Sequence, residues 1–209
     1  MAIEEESASQ SSGRRKHQRC GRERKSCRKS GFYNEEMVTI REAQQEDAEL
    51  MIALVRELAE YEREPDAVKI GAEQLARDGF PDAGGERYFE CLIAEVDEQP
   101  AGLAIYFPVY STWRGRCVHL EDLFVRPQFR GRGIGKALLT RVAAIAVERG
   151  CAKLFWHVLD WNRPAIDFYK SLGAEPLEEW TRMQLVDQAL ERVARMNDSD
   201  EIRTSEAAV

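Results

Sequence analysis

Three glycines within five residues, Gly131, Gly133 and Gly135 of 129-FRGRGIGKALL-139, constrain this chain's fold more than any other feature. Before them stands the apolar run 120-LEDLFV-125, which reads as a buried strand that runs out at Pro127. After them Ile134, Leu138, Val142, Ile145 and Ala146 recur at helical spacing until Gly150. A strand, a glycine turn and a helix make one unit of an α/β fold. The first-turn amides of a helix lack internal partners and carry partial positive charge, and glycine lets an anion approach them. Arg130, Arg132 and Lys136 add full charges. The stretch Arg130, Gly131, Arg132, Gly133, Ile134, Gly135 and Lys136 therefore reads as a pyrophosphate cradle, or otherwise as a tight turn with surface arginines. The dinucleotide pattern G-x-G-x-x-G fails because Lys, Ala and Leu follow Gly135, and no G-K-[ST] of a P-loop appears.

The rest of the chain alternates strand and helix. Strands are expected at 38–42, 86–96, 101–110, 116–125, 152–160 and roughly 179–186. Helices are expected at 46–62, 71–79, 134–149 and 162–172, with a charged helix after the last strand. Asn162 and Pro164 open the fourth helix and Gly173 ends it. The expectation is one α/β domain over 37–190, a mixed sheet of about six to seven strands flanked by helices, and a charged tail over 191–209.

Residues 1–30 carry nine Lys/Arg against four Glu, net +5, which leaves −12 on the other 179 residues. Such a leader, here taken as 1–36, cannot bury a core and is expected to be disordered. It either touches nucleic acid or acidic surfaces, or does nothing, since Met37 before VTIREA suits a later start. No apolar run approaches the roughly 18–20 residues of a membrane span, and no signal core stands at the N-terminus. A cytoplasmic protein is expected. Five scattered cysteines fit a reducing compartment, and Cys20, Cys27 and His17 fit zinc spacing poorly, so no metal is expected.

The spacing Arg130-x-x-Gly133-x-Gly135 after LEDLFV resembles the acyl-CoA signature of the GNAT superfamily of N-acetyltransferases. The segments 110-YSTWRGR-116, 119-HLEDLFV-125 and 158-VLDWNRPAIDFYKSLGA-174 are similar to its spermidine/spermine branch. Ser111 and the run VLDWN bring them nearer to that branch's thialysine-acetylating relatives. The resemblance covers about 37–185. It implies the GNAT fold, acetyl-CoA as co-substrate, a small-molecule primary amine as acceptor and a homodimer.

Amine acetylation sets its own demands. An ammonium with a pKa near 10.4 is only about 0.04% neutral at pH 7, a handicap of roughly 4.6 kcal/mol. The site needs a base, usually through water, an acid for the departing thiolate, and negative charge for the cation. Glu121 and Asp122 stand on the strand before the cradle. Strand neighbours face opposite sides, so only one would enter a cleft unless a bulge intervenes. By resemblance, Glu121 is the water-relayed base and Asp122 helps hold the amine; either could instead bridge a loop. His119 shares a face with Glu121 and is a substitute base, while His157 reads as structural.

Ala165, Phe168, Tyr169 and Leu172 form one stripe, which makes Tyr169 a core tyrosine on periodicity alone. The resemblance of NRPAIDFYK to the family segment implies instead that Tyr169 is the acid and that Asn162 meets the CoA arm. It also implies that a backbone amide near Phe124 and Val125 polarises the carbonyl. Tyr61, Glu62, Ser111, Trp113 and Trp180 match positions lining the amine cleft. Ser111 stands where the polyamine enzymes carry an acid, which favours a shorter amine than a long polycation. Three rivals remain: a protein or peptide acetyltransferase, a non-catalytic acyl-CoA-binding regulator, and a nucleic-acid binder working through the leader.

Overall fold

The computed structural model describes residues 37–196. The expectations for 1–36, including His17, Cys20 and Cys27, and for the tail beyond 196 lie outside the described residues.

Strand β1 (Val38–Glu42) leads through a short 3-10 turn into helix α1 (Ala48–Tyr61), followed by α2 (Ala72–Gly79). Then come β2 (Glu90–Val96), β3 (Gln99–Ser111) and β4 (Gly115–Val125). Helix α3 (Ile134–Glu148), the short β5 (Lys153–Phe155), α4 (Arg163–Ser171) and α5 (Asp187–Arg195) complete the order. The sheet runs β1-β2-β3-β4-β5, antiparallel through β4 and parallel between β4 and β5.

Alternation along the strands divides the core into two layers. Leu92, Ala94, Ala104, Tyr106, Val118 and Leu120 face α3, where Ile134, Leu138, Val142 and Ile145 are buried. Ile93, Leu103, Ile105 and Phe124 face the other way, onto Met51, Ile52 and Leu54 of α1 and Leu75 of α2. Glu57 of α1 grips Arg126, just past β4, with both carboxylate oxygens, and Arg126 also donates to the Pro100 carbonyl at 2.8 Å. That tie holds the end of α1 against the end of β4.

The sheet has five strands rather than six to seven. The expected strand at 152–160 keeps only Lys153–Phe155 in the ladder, opposite Cys117–His119. Beyond His119 the two strands part, and among the described residues Leu120–Val125 pairs with no strand on that side. β5 ends the sheet with three paired residues, and the segment 179–186 runs outside the ladder and is exposed. Helix α5 crosses the boundary expected at 190.

Candidate active site

The site begins with an irregularity in β4. Ile105 of β3 pairs with Asp122 and Tyr106 pairs with Leu120, which leaves Glu121 as an extra residue without a partner. This bulge reverses the alternation. Val118 and Leu120 point toward α3, and so do Leu123 and Val125, whereas Phe124 points toward α1. Asp122 shares the Phe124 face. Glu121, at the kink, is bonded on the same side to His119 and electrostatically coupled to Asp122. The adjacent acids that a regular strand would separate therefore lie close together.

Glu62, the residue after α1, is a third acid whose charge acts on Asp122. Burial raises the pKa of its carboxyl. Asp122 is pushed up to about 7, first by burial and then by the charges of Glu121 and Glu62. Such a group of acids is short of positive charge, which an alkylammonium would supply. Tyr169 of α4 lies against Trp156 with ring centroids 4.8 Å apart. Burial, then the Glu62 charge, raises its phenol to about 12, so the hydroxyl holds its proton at neutral pH.

The glycine turn is open. Gly131 and Gly133 have φ of 76° and 80°, left-handed backbone that favours glycine, and a Cβ at either would meet nothing within 4 Å. Gly133 is the N-cap of α3, so the amides of Ile134, Gly135 and Lys136 face this space without helical partners. Open space and unpartnered first-turn amides together suit an anion there. Arg130 is turned aside: its Nε donates to the Val125 carbonyl at 2.8 Å and its guanidinium covers the Tyr61 ring at 4.7 Å. Arg132 donates to the Gln128 carbonyl at 3.2 Å. The Val125 carbonyl thus points away from β3 toward the splayed side, and the N–H of a strand residue points the same way as its carbonyl.

Asn162 caps α4 by accepting from the Ala165 N–H at 3.4 Å, and its Oδ1 also accepts from the Tyr61 hydroxyl at 3.1 Å. Trp161 packs beside Tyr61 at 5.8 Å and beneath Arg63 at 4.8 Å. Trp113 and Trp180 meet each other edge to face at 6.4 Å and are 84% and 68% exposed. Ser111 ends β3, where its hydroxyl accepts from the N–H groups of Trp113 and Arg114 and shapes the hairpin turn.

Of the residues expected at the site, Tyr61 bonds Asn162, and Asp122 and Tyr169 both lie within reach of the Glu62 charge, as Asp122 does of Glu121. The sequence reading assigned no role to Trp156, Trp161 or Arg63. Nothing in their spacing marks which side they face. Among the described residues no three His, Cys, Asp or Glu converge as metal ligands.

The Acetyltransferase (GNAT) family pattern matches residues 40–174. A thialysine N-epsilon-acetyltransferase of Sus scrofa is 41% identical over 168 residues, covering 75% of this chain and 97% of its own. That of Bos taurus is 45% identical over 150 residues, covering 68% and 86%. Among solved structures, an integron cassette protein from the mobile metagenome of V. cholerae aligns at a TM-score of 0.62 and 25% identity, over 76% of this chain and 98% of its own.

Proposed function

The chain belongs to the acetyltransferase (GNAT) family, and from that premise we propose that this N-acetyltransferase transfers acetyl from acetyl-CoA directly to a primary amine of a small molecule, of thialysine, diamine or polyamine type. The observation that carries the reading is the bulge at Glu121, which leaves Glu121 close enough to couple to Asp122, while the Glu62 charge acts on both Asp122 and Tyr169.

In this reading Gly131–Lys136 hold the pyrophosphate, and the CoA arm lies where β4 and β5 part, with Asn162 beside it. Glu62 and Asp122 attract the ammonium. Glu121, whose side chain is 47% exposed, takes the amine's proton through water. The N–H of Val125 faces the gap and polarises the thioester carbonyl. Tyr169 gives its proton to the departing sulfur. The chemistry draws on no metal.

Ser111, Trp113 and Trp180 belong to the acceptor side in the same reading, and so does a homodimer, which sedimentation velocity tests. No described helix is long and apolar enough to cross a membrane, and a cytoplasmic setting belongs to the same reading. Nucleic acid has no role in it. CoA release from acetyl-CoA, measured across thialysine, lysine, short diamines, spermidine and peptides, tests the assignment. Turnover confined to peptides would defeat it.

A further inference from the structure

His119 is the single polar residue in the buried core among the described residues, at 7% exposure. Its ring lies 5.1 Å from Phe107, 4.7 Å from Phe155 and 5.2 Å from His157. Nδ1 has no hydrogen-bond partner, whereas Nε2 lies 3.0 Å from Oε2 of Glu121. Packing does not account for a histidine here. A phenylalanine would fill the same aromatic box and leave no buried nitrogen without a partner. The contact to Glu121 is what the imidazole adds.

The contact also settles the tautomer. A proton on Nδ1 would leave a buried donor unmade and would require Glu121 to carry a proton of its own. A proton on Nε2 donates to an ionised Glu121 and leaves only a lone pair facing aromatic rings. Burial, the largest influence, lowers the pKa of His119; Glu121 opposes this, while His157 and Arg182 reinforce it. The ring is therefore neutral near pH 7 and ill suited to take the amine's proton itself. Glu121, in contrast, stands at an unpaired bulge and is half exposed, with a flexible side chain whose ordering has an entropic cost.

We propose that His119 is a positioning residue of the acetyl transfer: its Nε2–H holds one oxygen of Glu121, so that the other faces the cleft to receive the proton leaving the acceptor amine. An N–H bond of the ammonium breaks, an O–H bond forms on Glu121 through water, His119 keeps its own proton, and Glu121 returns the acquired proton to solvent. The inference rests on the reading of Glu121 as the base.

The test compares His119→Phe, His119→Gln and Glu121→Gln in the full chain, assayed with whichever amine turns over. His119→Phe should keep or raise Tm, lower kcat about tenfold or more, and leave KM for acetyl-CoA within about twofold. His119→Gln, which keeps an N–H donor, should recover kcat to within about threefold of the parent. In a Glu121→Gln background, His119→Phe should have no further effect. An unchanged kcat in His119→Phe, equal losses in the Phe and Gln variants, or a marked fall in Tm overturns the positioning role. If Glu121→Gln alone is fully active, the base assignment itself falls. If Glu121→Gln is slow and His119→Phe is not, only the inference about His119 falls.

Discussion

The hydroxyl of Tyr61, the last residue of α1, donates to Oδ1 of Asn162 at 3.1 Å, joining residues 101 positions apart in the chain. In the proposed reading Tyr61 borders the amine and Asn162 borders the CoA arm, so this bond spans the two halves of the site. Arg130 lies over the same tyrosine ring and reaches the Val125 carbonyl. Tyr61→Phe removes the bond but keeps the ring, and should cost about 1 kcal/mol of stability. Tyr61→Ala also removes the ring beneath Arg130 and should cost about 2–4 kcal/mol. Urea unfolding of both variants checks the order.

Tyr169→Phe should slow turnover well beyond tenfold while leaving CoA binding nearly intact, because the ring stays against Trp156 and only the proton donor is lost. With the phenol held near 12, the parent enzyme should show no loss of activity from this group below about pH 10. Steady-state kinetics and calorimetric CoA titration distinguish the two effects. An unchanged rate would remove the tyrosine from the mechanism.

Asp122 makes a prediction with a definite sign. Its folded pKa of about 7 stands above the unfolded value near 3.9, so between those pH values the folded state binds more protons. Stability from this group is present below about pH 4 and is lost as pH rises through 7. Asp122→Asn should remove that slope and make the protein more stable at pH 8, by up to a few kcal/mol. Weaker binding of the cationic acceptor should accompany the gain. Urea midpoints measured from pH 4 to 8 check it.

Gly133→Ala places a Cβ on left-handed backbone, which costs about 1–2 kcal/mol, and directs it into the open space before α3. KM for acetyl-CoA should rise about tenfold or more, with KM for the amine changing much less. Initial-rate kinetics with each substrate varied in turn measure the split.

The local pieces of the proposed site were legible in the sequence because each rests on neighbouring residues. A glycine turn, a helix cap at Asn162 and a strand carrying two acids each follow from neighbouring residues. The stripe that includes Tyr169 was equally legible, although periodicity alone made it core, and half-buried it is. What stayed hidden was contact between distant segments: Trp161 against Tyr61, Trp156 against Tyr169, and His119 against Glu121 in a box built from β3, β4 and β5. The five-stranded sheet was hidden for a related reason. Whether 156–160 and 179–186 join a ladder depends on the edge offered to them, not on their own apolar content.

By itself the sequence determined most of the order of strands and helices and the place of the glycine turn between β4 and α3, since these rest on side-chain period and on where glycine stands. Tertiary structure alone decided which acids lie together. Glu121 and Asp122 come close enough to couple because β3 pairs with β4 so as to leave Glu121 unmatched. A bulge is a property of two strands in register, and one strand's residues do not contain it.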